Sequence, residues 1–147
     1  VHASIGNEFF SNNYLTVSES PKDWEIVDVQ NKDEILVALQ PLSQNSSFTL
    51  REFKSSNPSL KQNVVSWMAG YKSYGFKILS SKPVKLNDKT YGYFIKALHK
   101  KSKKVFKQYM SIKNKKLVVL TCHSNKQGKE FSDCEKSLTS FSWKATQ

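Results

Sequence analysis

The sequence predicts an α+β fold, an antiparallel β-meander flanked by helices. Three observations carry this expectation. Leu117-Val118-Val119-Leu120-Thr121-Cys122 is an unbroken apolar, β-branched run, the composition of a strand buried on both faces. Beyond it lies a polar segment containing Gly128. Phe131, Cys134, Leu138 and Phe141 then recur at steps of three and four, marking one face of a helix. Ahead of it, Tyr91–Leu98 and Val105–Ile112 are strand-like runs joined by short polar links, the spacing of an antiparallel meander. A central strand is therefore expected to feed a C-terminal helix that packs back on the sheet, with a cysteine at each end of the connection.

The remaining elements follow in chain order. Residues 1–8 are expected to form a flexible N-terminus and residues 9–147 a single α+β domain. Phe9-Phe10 and Tyr14–Val17 bracket a polar Ser11-Asn12-Asn13 and predict a strand or hairpin. Ser20-Pro21-Lys22-Asp23 is a turn, and Trp24–Val29 alternates as a half-buried strand. Ile35–Leu42 follows Asn31-Lys32-Asp33-Glu34, which could cap a helix, but its shortness and Pro41 favour a strand. Gln44–Ser47 is a polar loop that pairs this strand with Phe48–Phe53. Asn57-Pro58-Ser59 opens a helix, with Pro58 at its first position or Ser59 as its cap. Leu60, Val64, Trp67, Met68 and Tyr71 share one face, predicted to be core, and Gly75 ends the helix. Phe76–Leu79 leads to Pro83–Leu86, a strand broken near its proline, and Asn87-Asp88-Lys89 turns into the meander.

The chain has 147 residues, enough to bury a core without a metal or a dense disulfide scaffold. Nine Phe, six Tyr and three Trp can fill that core from few positions. No apolar run approaches the ~20 residues needed to span a bilayer as a helix. A start at Val1 fits a mature exported protein, although a trimmed sequence reads the same. The net charge is +11, and Arg51 is the only arginine. Lysine is a hydrated point charge, whereas arginine is suited to bidentate recognition of phosphate and bases. The surface therefore points to solubility or diffuse attraction to polyanions rather than specific nucleic-acid reading.

Several short features, in order and at this spacing, carry a family resemblance. They are Val17 to Trp24 with Ser20-Pro21 and Asp23-Trp24, Tyr91-Gly92-Tyr93 opening a strand, Gln108-Tyr109 inside the next, Leu117–Cys122, and Ser140-Phe141 near the end. With strands, one long helix, a meander and a last helix, the layout resembles the PsbP-like superfamily. That superfamily includes the PsbP proteins of photosystem II, Mog-type Ran-binding proteins and bacterial exported families. The resemblance implies an α-β-α sandwich and a role as an assembly factor, a GTPase-interacting protein or a secretion chaperone. It does not by itself choose among these roles. No motif here identifies the family's metal-binding or GTPase-binding positions, so none is carried over.

Candidate sites are few. Cys122 and Cys134 are the only cysteines. A strand end and the inner face of the next helix place them within bridging range, and a bond would contribute ~3 kcal/mol. Separate buried thiols in a cytosolic protein are the alternative. With His123 they supply only three ligands at poor spacing for zinc, so no metal or cofactor is expected. Cys122 and His123 are neighbours on a strand and point to opposite faces, which prevents nucleophile–base pairing. His2 lies in the flexible terminus and His99 in a lysine-rich turn. The acidic residues show no paired spacing for acid–base work, and no enzyme is expected.

The densest charge is in the meander, and Lys96 and Lys107 belong to it. Lys100, Lys101, Lys103 and Lys104 lie in one turn, and Lys113, Lys115 and Lys116 in the next. These turns fall at opposite ends of the sheet and are possible anion contacts, with solubility and edge protection as the plainer role. Tyr91, Tyr93, Phe94, Phe106 and Tyr109 interleave with the lysines, as stacking platforms for single strands would, but strand aromatics more often form core or cross-strand pairs.

The sequence thus leads first to a non-catalytic exported accessory or binding domain, periplasmic or secreted, that contacts a protein or an envelope component. The alternatives are a cytoplasmic, chaperone-like adaptor of the same fold, binding an apolar segment of another protein, or a lysine-mediated binder of anionic polymer or nucleic acid.

Overall fold

The computed structural model describes residues 10–27, 34–87, 90–125 and 129–144. The expected flexible terminus with His2, the end of the Trp24–Val29 run, Asn31–Asp33, Asp88-Lys89 and Gly128 lie outside the described residues. The elements are β1 Phe10–Ser11, β2 Leu15–Val17, β3 Trp24–Ile26, β4 Ile35–Pro41, β5 Ser46–Lys54, α1 Leu60–Ser73, β6 Phe76–Asn87, β7 Thr90–His99, β8 Val105–Lys113, β9 Lys116–Ser124, α2 Lys129–Thr139 and β10 Phe141–Trp143.

Seven strands form one antiparallel sheet in the order β3-β4-β5-β9-β8-β7-β6. The apolar run of β9 takes the middle position, where both of its faces are covered. Leu117 to Cys122 are all buried. Leu117 and Val119 join Val64, Ile95 and Met110 beneath α1. Val118, Leu120 and Cys122 join Phe48, Leu50, Tyr109, Phe131 and Leu138 beneath α2. Helix, sheet and helix therefore stack as an α-β-α sandwich. Burial of each large side chain in these two layers contributes ~1.5–3 kcal/mol.

Local chemistry explains the first helix. Ser59 has extended backbone and its Oγ accepts from Gln62 N at 3.3 Å, the cap that satisfies an otherwise free N–H. Asn57 and Pro58 precede the cap instead of starting the helix. Gly75, with φ of +87°, donates to Lys72 O at 3.2 Å and ends it. Val64 is the buried residue of this helix, and the face predicted to be core is largely half-buried. Trp67 is one of those half-buried residues. Its ring packs edge-on to Phe53, and its Nε1 donates to Gln108 Oε1 at 2.9 Å. Gln108 Nε2 donates in turn to Thr121 Oγ1 at 2.7 Å, so this buried polar pair is satisfied across two strands and a helix.

Two expectations are corrected. Phe141 does not continue the face of α2. The helix stops at Thr139, and Phe141–Trp143 pairs with Leu15–Val17, giving a three-stranded sheet of order β1-β2-β10 beside α2. Leu15, Val17 and Phe141 from this small sheet complete the core layer below α2. The strand at Pro83 is not broken either. β6 runs unbroken as one 12-residue element, with a bulge between Ile78 and Ser80. It forms the edge of the sheet, where a proline without an N–H need not forfeit a ladder bond.

The β8–β9 connection is a two-residue turn, with Asn114 and Lys115 both left-handed at φ of 52° and 64°. Lysine carries a Cβ penalty there that glycine does not. Lys115→Gly should therefore raise stability by about 0.5–1 kcal/mol, measured as a higher denaturation midpoint. An unchanged or lower midpoint would contradict this turn geometry.

Candidate functional site

The register places one row of side chains across the seven-stranded sheet on the α2 side: Ile26, Leu39, Phe48, Cys122, Lys107, Lys96 and Ser80. Its chemistry changes at the middle. The first four residues are apolar, counting Cys122, and the last three are basic or polar. At the change sits the cysteine pair. Cys122 and Cys134 are both buried, their Cα atoms are 5.9 Å apart, and their sulfurs are at disulfide distance. Beside them Lys107 Nζ reaches Glu135 Oε1 at 2.9 Å and lies 4.6 Å from the Phe131 ring centre. The α2 helix is thus held to β9 and β8 by sulfur, charge and ring contacts at adjacent positions.

His123 lies on the opposite face from Cys122. Its ring centre is 4.9 Å from that of Phe106, and its Nδ1 is buried without a hydrogen-bond partner. Burial, with a smaller contribution from the Lys104 ammonium, holds its pKa down at about 4, against the ordinary 6.5. Between those two values the unfolded chain binds the proton and the folded chain does not. Stability supported by neutral His123 is therefore fully present above about pH 6.5 and is lost as pH falls toward about 4. His123→Phe should reduce the slope of melting temperature against pH across that window. An identical slope in the variant would remove His123 from the account.

The two lysine turns lie at opposite ends of the sheet and differ in what they touch. In the first, Lys103 N donates to His99 O at 2.8 Å and Ser102 N to His99 Nδ1 at 3.1 Å, so His99 organises the turn. Lys100, Lys101 and Lys103 are exposed and Lys104 is half-buried. Lys100 N also donates to Gly75 O at 3.1 Å, tying this turn to the α1–β6 junction. Of the lysines at the second turn, Lys115 is exposed and Lys113 and Lys116 are half-buried. Lys113 Nζ reaches Lys144 O at 3.4 Å. Lys116 Nζ is 3.5 Å from Glu52 Oε2 and 4.2 Å from the Tyr14 ring centre. The Tyr14 hydroxyl also bonds Glu52, and its ring stacks on Trp143 at 6.2 Å. Desolvation first and Glu52 second push the Tyr14 pKa up to about 12. Lys116 thereby belongs to the cluster that joins the small sheet to the large one.

The interleaved aromatics divide between core and surface. Tyr109 is buried, Tyr93 and Phe94 pack at the margins of the two core layers, Phe106 packs edge-on to Tyr71 of α1, and Tyr91 is exposed with Lys85 Nζ 5.3 Å from its ring. An open groove beside α2 is lined by Lys22, Asp23, Trp24, Pro41 and Leu42. Among the described residues, no three His, Cys, Asp or Glu side chains are grouped as a metal site, and no helix is long and apolar enough to cross a membrane.

No family model and no curated protein matches the chain. Among solved structures it is similar to cyanobacterial PsbP (CyanoP) from Synechocystis sp. PCC 6803, determined in solution. That likeness covers 88% of this chain and 86% of that one, at 12% sequence identity and a TM-score of 0.65. It is also similar to a crystal structure from Bacteroides thetaiotaomicron VPI-5482, with 89% of this chain covered, 10% identity and a TM-score of 0.50. The present chain spans 45% of that longer one. The likeness to CyanoP, over most of both chains, gives this chain a PsbP-like fold.

Proposed function

We propose that this chain is a non-catalytic accessory domain, exported to the periplasm or secreted, that works by surface contact with a protein or an envelope component. The observation that best supports this reading is the buried Cys122–Cys134 pair between the central strand and the helix that covers it. Such a bond persists in oxidising compartments and is rare in a reducing cytoplasm. The PsbP-like fold agrees with an accessory role, and the placement of Cys122 and His123 on opposite faces favours structure over nucleophilic chemistry.

The adaptor reading is favoured by one feature, the exposed Ile26 and Leu42 near the β3 edge, which could hold an apolar segment of another protein. Fractionation of the source cells separates the two. The exported domain should be recovered from the periplasm or the medium and should be open to protease in spheroplasts. Recovery from the cytoplasm, protected from protease, would overturn export and leave the adaptor.

A further inference from the structure

The charge of this protein is segregated. Residues 76–115, from the start of β6 to the β8–β9 turn, hold twelve lysines and one acid, Asp88, whereas the rest of the chain holds eleven basic and eleven acidic residues. The whole excess of positive charge therefore lies in one flank of the seven-stranded sheet, the flank that ends in the free edge of β6. Lys77, Lys82 and Lys85 are exposed along that edge. Behind it Lys96 faces Lys107 across the ladder, and Glu135 offsets the charge of Lys107.

Edge protection alone accounts for lysines and Pro83 on β6. It does not account for the apolar side chains set among them. Leu79, at the bulge, is 44% exposed, Tyr91 61% and Tyr74 77%. Tyr74 sits where α1 passes into β6, next to the Lys100 turn that bonds Gly75. An edge built only to stay in water does not need Leu79 on β6, Tyr91 on the adjoining β7 and Tyr74 at the end of α1 all exposed beside it. Lysines around exposed Leu and Tyr match a surface that is negative in front and apolar just behind. Tyrosine favours the boundary between water and hydrocarbon, and each lysine close to an anionic bilayer strengthens binding by about fivefold. Lysine in place of arginine suits diffuse attraction to headgroups better than bidentate reading of a nucleic acid.

We infer that the β6 edge, with Lys77, Lys82 and Lys85 around Leu79, Tyr74 and Tyr91, docks on an anionic lipid surface. This deepens the proposed reading by naming the envelope component, and it rests on that reading only for the side of the membrane that is met. The contact is peripheral. It places the β6 flank and the exposed lysines of the Lys100 turn toward the bilayer, leaving the β3 edge at the far side of the sheet.

Co-sedimentation of the oxidised chain with vesicles tests this. The chain should bind phosphatidylcholine vesicles containing phosphatidylglycerol and not phosphatidylcholine alone, and should be released as salt rises. Reversing the edge in K77E/K82E/K85E, or neutralising it in K77Q/K82Q/K85Q should folding of the first be impaired, should weaken binding by at least about tenfold. The reversal K54E/K61E/K136E, equal in charge but away from β6, should weaken it much less. L79S/Y91S should weaken it severalfold at unchanged charge. The inference is overturned by absence of binding at low salt, or by equal losses from the two charge reversals. It is also overturned if L79S/Y91S leaves vesicle binding unchanged while soluble polyphosphate is bound through the same lysines, since the target is then a free polyanion. None of these failures touches the oxidation of the cysteines or export.

Discussion

Replacing Gly92 by alanine is expected to lower the melting temperature by about 8 °C or more. An added Cβ would stand 2.3 Å from Met110 O and 2.4 Å from Tyr109 Cζ. The first neighbour is backbone in the middle of the sheet. The second is a fully buried ring that lies across the glycine because no side chain occupies that place. Tyr109 contacts Phe141 at 6.0 Å and so transmits the displacement to the small sheet. Overpacking of this kind costs about 3 kcal/mol when neither neighbour can yield. Thermal unfolding of Gly92→Ala beside the parent measures it. A melting temperature within about 3 °C of the parent would contradict this packing of Tyr109 over β7.

Removing both sulfurs, in Cys122→Ala/Cys134→Ala, is expected to lower stability by about 3 kcal/mol and the melting temperature by about 10 °C. The bond closes a loop with a sequence separation of 12, and both residues are buried beneath α2. Reduction of the parent should cause a comparable loss. Because the Lys107–Glu135 pair and Phe131 still hold the helix, the variant should remain folded at room temperature. If both the variant and the reduced parent melt within about 3 °C of the oxidised parent, the helix is secured without the sulfurs.

What the sequence revealed depended on how local the signal was. Leu117–Cys122 was legible as a central strand because burial on both faces leaves no polar alternation, and the strand does sit in the middle of the seven. The helix after Ser59 was legible from its cap and from Gly75. The nearness of Cys122 and Cys134 followed from a strand and a helix folding back on each other. Phe141 was misleading because its spacing continues the helical stripe. Its true partner, Val17, lies more than a hundred residues away, and no local pattern reports such a pairing. Pro83 misled for a related reason. Its tolerance depends on β6 being an edge, a property of the assembled sheet. The lysine turns drew attention because their charges are adjacent in sequence. The fold shows that one of them shares its charges with Glu52 and Lys144 O, whereas lysines spread thinly along β6 gather on one exposed edge.

The central claim is that this domain works oxidised, outside a reducing cytoplasm, with α2 bonded to the central strand. Intact mass measurement after alkylation tests it most directly. The protein is taken from its native compartment, denatured and alkylated without reduction, and a second portion is reduced first. The account predicts no added alkyl group in the first portion and two in the second, at Cys122 and Cys134. Two alkyl groups without prior reduction would contradict it.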